Sequence, residues 1–238
     1  MNLKNARVLV IGGTSGIGLG VASAVAERGG VPIVVSRKQS SVDRALAALP
    51  EGARGSTVDL SDPADLAHLV DEIGELDHLV FTAGEALELV GVADLTPEVI
   101  TEFLGTRFIG QLNAVRVFAP HLSNGGSITL TSGVAAERPG LGVLPASVCG
   151  AVNAMTRALA VELAPLRVNA IAPGPIQTPL WSGLAEPDRQ AIYERFAQSL
   201  PAGRIGEATD TALAYVYCME QEFGTGVVLT VDGGSTLV

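Results

Sequence analysis

A single doubly wound parallel α/β sheet, Rossmann-like with helices on both faces, is the fold this sequence predicts, on three observations. A strand-length apolar run, Val8-Leu9-Val10-Ile11, breaks into glycines and passes directly into helical sequence. Further β-branched runs that end in small or polar residues alternate with helical stretches along the chain. At 238 residues, 47% of them apolar and only 17% charged, the chain is long enough for one such domain and rich enough to fill its core.

The glycine break organises the rest. Gly12 closes a tight turn, Gly16 leaves room for a pyrophosphate, and Gly18 lets the following helix pack closely on the strand. Thr14, Ser15 and Ile17 complete this candidate phosphate-binding turn, with the N–H groups of the helix N-terminus facing the anion. The second strand, residues 31–36, ends at Ser36, Arg37 and Lys38. An acid at that place would accept from a free ribose 2′-OH; a guanidinium suits a 2′-phosphate, so NADP(H) is expected rather than NAD(H).

A third strand over residues 55–60 brings Asp59 and Leu60 toward the adenine, and Ser61-Asp62-Pro63 caps the next helix. The fourth strand runs into Thr82-Ala83-Gly84, small residues of the kind required where a cofactor crosses a strand end. A long helix is expected over 97–122, a fifth strand over 125–133 carrying Ser132 at its end, a helix over 145–163 and a sixth strand over 167–174. Residues 178–201 interrupt the alternation and are expected to form a substrate lid around Leu180, Trp181, Leu184, Tyr193 and Phe196. A helix over 207–219 and a strand over 227–231 finish a single domain spanning 1–238.

Composition excludes several classes. The net charge of -10 opposes binding to nucleic acid or an anionic membrane. No segment is expected to be long enough to span a bilayer. Cys149 and Cys218 are too isolated for a disulfide framework, and His68, His78 and His121 show no metal-ligand spacing, so no metal is expected. With no secretory-type leader in the N-terminal residues, a cytoplasmic location is expected.

Through Gly12-x-x-x-Gly16-Ile17-Gly18, Asp59-Leu60, Thr82-Ala83-Gly84, residues 173–178 and Val231-Asp232-Gly233-Gly234, the chain resembles the short-chain dehydrogenase/reductase family over essentially its whole length. The resemblance implies a nicotinamide cofactor lying across the strand ends, with Pro173, Gly174, Ile176 and Thr178 at its carboxamide end. It also implies a homo-oligomer, tetramer or dimer, built through the helices at 97–122 and 145–163. In the family a Tyr gives a proton to the carbonyl as hydride arrives, a Lys lowers the pKa of that Tyr, and a Ser polarises the carbonyl. Here only Ser132 matches: the Tyr place falls on Pro145, the Lys place on Cys149 and an Asn place on Arg107.

Three readings follow. One is an oxidoreductase acting on a small, hydrophobic C=N, C=C or C=O acceptor that needs no proton from the protein, such as an iminium. Another is a ketoreductase with a relocated donor, for which Cys149, Tyr193, Glu137 and Arg138 are candidates. The third is an inactive NADP(H)-binding sensor or scaffold subunit.

Overall fold

The structure, a computed structural model, describes residues 2–84 and 90–238. The elements run β1 (Arg7–Ile11), α1 (Gly16–Glu27), β2 (Val31–Ser36), α2 (Gln39–Ala48), β3 (Arg54–Thr57), α3 (Pro63–Ile73) and β4 (Leu76–Phe81). Then follow α4 (Pro97–Leu104), α5 (Gln111–Phe118), β5 (Leu122–Thr131), α6 (Val143–Glu162) and β6 (Arg167–Pro173). The chain closes with β7 (Ile176–Gln177), α7 (Glu186–Ser199), β8 (Gly206–Glu207), α8 (Ala208–Glu220) and β9 (Val228–Val231).

Seven strands form one parallel sheet in the order β3-β2-β1-β4-β5-β6-β9, while β7 and β8 pair apart from it. The expected doubly wound fold is present. Successive side chains of a strand point to opposite faces, and β1 shows what that does here. Leu9 and Ile11 enter one core with Leu66, Leu69, Phe118 and Val152; Val8 and Val10 enter the other with Val21, Val25, Tyr215 and Met219. Burial on both faces is why the strands are continuous apolar runs rather than alternating ones.

Local chemistry sets several boundaries. Asp62 accepts from the Ala64 N–H at 2.8 Å with Pro63 in the first turn of α3, as expected of that trio. Buried Arg167 donates to the carbonyls of Cys218 and Gln221, both at 2.6 Å, and of Met219 at 3.0 Å. A cation thereby sits on the negative end of α8.

Four expectations need correction. The helix expected over 97–122 is four pieces: α4, a π-helical segment Gly105–Gly110, α5 and a 3-10 turn Ala119–His121. Strand β5 begins at Leu122 rather than 125, and β3 ends at Thr57, before Asp59. Finally, α6 is by length and composition apolar enough to cross a bilayer, with a mean hydropathy of 1.2. It instead packs on the sheet, placing Val148, Val152, Leu159 and Ala160 in the core.

His78 on β4 is fully buried, its Nδ1 2.9 Å from the Ser127 hydroxyl of β5 and its Nε2 without a partner among the described residues. Burial pulls its pKa from 6.5 down to about 4, against the pull of Asp77. The folded state therefore refuses a proton that the unfolded chain accepts. Stability from this group is complete above about pH 6.5 and is lost as pH falls through about 4, some 3 kcal/mol in all. Urea titrations are expected to show this decline, and His78→Leu to flatten it after an initial loss of about 1 kcal/mol from the orphaned Ser127 hydroxyl. An unchanged pH slope in the variant would remove His78 as its source.

Candidate active site

The sheet order reverses between β1 and β4, the place at which open α/β sheets bind ligands. Here the turn after β1 is built for close approach. Gly12 has φ +83, and a Cβ on it would lie 2.5 Å from the Ala83 nitrogen. A Cβ on Gly18 would lie 2.2 Å from the Gly12 carbonyl oxygen and 2.4 Å from Thr82 Oγ1. Side chains at either position are excluded, so α1 starts directly against the ends of β1 and β4. Gly16, with φ +50, faces Thr178 and Pro179, each with an atom 3.2 Å from where its Cβ would be. Ser15 caps α1 with its backbone alone, so the side chain leaves the first-turn N–H groups to other acceptors.

These features fit the phosphates of a dinucleotide: a glycine cradle, an open helix N-terminus, and the 176–181 loop facing it. Thr14 lies in the same turn, while Ile17 turns its side chain into the core. At the adenosine end, Ser36 closes β2, its carbonyl accepting from Val58 N–H at 3.1 Å, and Arg37 follows, exposed. Hydrogen bonds from the Ser61 hydroxyl and N–H, reinforced by the charge of Arg37, hold the Asp59 carboxyl below the usual carboxylate range. Leu60 and Ala83 pack their side chains against the core, leaving backbone for a ligand. Gly84 is exposed beside Arg107. Pro173 ends β6, and Gly174 serves packing, since a Cβ there would meet Asp232 at 2.6 Å.

A second cluster forms where β5 meets α6. The Ser132 hydroxyl lies 2.6 Å from Asn153 Oδ1 and 3.1 Å from the Cys149 carbonyl. A hydroxyl carries one proton, and the shorter contact to Asn153 takes it. Pro145, Cys149 and Asn153 follow at four-residue spacing along one face of α6. Burial pushes the Cys149 thiol above its usual pKa, only partly offset by the Ser132 hydroxyl, the Ala135 and Ala136 N–H groups and the charge of Arg107. At neutral pH Cys149 is a thiol.

Arg107 reaches this cluster from the π-helical segment, its guanidinium 4.7 Å from the Phe103 ring centre and 3.7 Å from where a Gly84 Cβ would sit. Gln111 pins that segment to the strand. Its Nε2 donates to the carbonyls of Arg107 at 2.6 Å and Thr131 at 3.0 Å, and its Oε1 accepts from the Thr131 N–H at 3.1 Å. The Thr131 hydroxyl donates to the Phe81 carbonyl and stands 2.6 Å from the Tyr215 hydroxyl. Tyr215 is fully buried and its phenol pKa is pushed well above normal.

The structure thus brings Ser132 and Cys149 together but places Tyr193 elsewhere, edge-on to Trp181 with ring centres 6.5 Å apart. Glu137 and Arg138 lie in the turn after Val134–Ala136, Glu137 exposed. Sequence reasoning missed Asn153 and Gln111. Each is a polar residue among the small and apolar residues of a core-packed helix, and that was the signal available.

Over residues 12–236 the chain matches the family model described as Enoyl-(Acyl carrier protein) reductase. A short-chain dehydrogenase/reductase of Stachybotrys chlorohalonatus is 37% identical, covering 99% of this chain and 98% of its own length. A small-chain dehydrogenase solved in complex with NADPH superposes with TM-score 0.82 at 33% identity, covering 99% of this chain and all of the other. The MalC reductase/Diels-Alderase of Malbranchea aurantiaca superposes with TM-score 0.90 at 31% identity, covering 99% of this chain and 97% of its own. With glycine turn, strand order and whole-length similarity in agreement, the chain belongs to the short-chain dehydrogenase/reductase family.

Proposed function

We propose that this protein is an NADP(H)-dependent oxidoreductase with a non-standard active site. Its acceptor is a small, hydrophobic C=N, C=C or C=O compound that takes hydride without a proton from a Tyr–Lys pair. An iminium is one such acceptor, its charge being quenched by the hydride itself. When bound, the cofactor supplies the hydride. Gly12, Gly16, Gly18 and the N-terminus of α1 hold its phosphates; Ser36 and Arg37 receive the 2′-phosphate. The NADPH complex of the structural neighbour supports the choice of cofactor.

The observation that carries this reading is the commitment of Ser132 to Asn153 beside a half-buried, protonated Cys149 and a proline at 145. Ser132 orients rather than donates, and Cys149 contributes an apolar, weakly acidic wall. Arg107 sets a positive charge at the mouth of the cluster. That charge stabilises electron density building on an enone or carbonyl oxygen, whereas it opposes binding of a cationic iminium and is relieved as hydride neutralises it, so the three acceptor classes are separable. Ile109, Leu112 and Val161 stay exposed on the helices expected to pair in a homo-oligomer.

A fluorescence titration with NADPH and NADH in parallel is the first test, followed by NADPH consumption with cyclic iminium, enone and simple ketone acceptors. Tight NADPH binding, weak NADH binding and turnover of the iminium are expected, with simple ketones inert. Binding without turnover of any acceptor would favour the sensor or scaffold reading. Binding of neither cofactor would overturn both.

A further inference from the structure

Trp181 is the only tryptophan in the chain, and it does two things at once. Its indole N–H donates to the Ile176 carbonyl at 2.8 Å, folding residues 176–181 back on themselves. Its ring packs against α7 of the lid, 6.5 Å from Tyr193 and 6.0 Å from Phe196. The loop so closed carries Thr178, whose Oγ1 accepts from Leu180 N–H at 3.4 Å and whose side chain faces Gly16 across the cradle. The other side of the loop is already fixed. β7 pairs with β8, and the Ile176 side chain fills the space where Gly206 lacks a Cβ, its Cδ1 2.5 Å from that position. Arg204, just before β8, is held bidentately by Asp210 of α8 at 2.6 and 2.7 Å.

With the phosphates on α1, the half of the cofactor beyond Gly16 passes this loop, while the adenosine half lies at Ser36 and Arg37 on the far side of β1. We propose that Trp181 is a positioning residue. Its indole clip holds the 176–181 loop against the nicotinamide half of the cofactor, and its aromatic contacts pass the position of the α7 lid to that loop. This rests on the NADP(H) reading above.

The test compares NADP+ with adenosine 2′,5′-bisphosphate, which shares the adenosine end and lacks the nicotinamide, by calorimetry. Trp181→Phe keeps a ring in the aromatic cluster and removes the donor. It is expected to weaken NADP+ about fivefold, in keeping with one lost hydrogen bond, and to leave the bisphosphate within about twofold. Phe196→Ala, at the lid end of the contact, is expected to move the same readout in the same direction. Equal weakening of both ligands, or of neither, overturns the proposal.

Wild-type emission gives a second reading that survives a poorly folding variant. NADP+, which does not absorb in the emission range, should change it, and the bisphosphate should not. The same response to both would overturn the clip. If the wild type binds neither ligand, the cofactor reading itself fails, an outcome distinct from failure of the clip.

Discussion

Arg37→Asp weakens NADPH about a hundredfold and leaves NADH within a few-fold of wild type; that is the expected result of reversing the charge at the end of β2. Ser36 is tied to the next segment through the Val58 N–H, so the residue after it is delivered to a fixed place beside Asp59. A guanidinium there pairs with the 2′-phosphate through charge-assisted hydrogen bonds, and a carboxylate repels it. Together these differ by about 3 kcal/mol, close to two decades of affinity. Arg37 is exposed, so the substitution leaves the core intact. Dissociation constants for both cofactors decide the matter: equal losses would take Arg37 out of the phosphate site.

The second large effect is a gain. Pro145→Tyr with Cys149→Lys is expected to raise turnover of simple ketones at least about a hundredfold, the lower range of what a positioned general acid contributes. The positions suit the change. Pro145 stands in the first turn of α6, where a helix needs no N–H, and tyrosine is tolerated there. Cys149 follows one turn later on the same face, beside Ser132. Either change alone is expected to give little, because the phenol and the ammonium work as a pair. Wild-type turnover of simple ketones at the rate of the double variant would show that another acid already serves.

The parts of the site that could be seen in the sequence are those whose geometry is local. The glycine turn is one: Gly12 and Gly16 adopt positive φ, and the residue type announces it. The place of Arg37, exposed one residue past a β-branched strand, is another. The π-helical segment was hidden because Phe103, Phe108 and Val115 fit a continuous apolar face whether or not one extra residue is wound into the turn. The clamp of Gln111 on Thr131 joins residues 20 positions apart, and the Ser132–Asn153 contact spans 21. No spacing rule reaches that far. Interruption of the strand–helix pattern marked residues 178–201 as an expected lid without revealing α7 or the contact from Trp181 to Ile176.

The π-helical segment has a consequence for how this site can change. An α-helix turns by about 100° per residue, so one residue more or fewer redirects everything that follows it. Gly105–Gly110 stores such a surplus residue between a start fixed by Pro97 and its Thr96 cap and an anchor at Gln111, the first residue of α5, which binds Thr131. Loss of a single codon within it would restore a regular helix of nearly the same length. Arg107 would then swing away from Cys149 with the fold otherwise kept. The charge at the mouth of the site is set by a count of residues, so a deletion reaches it as readily as a substitution does.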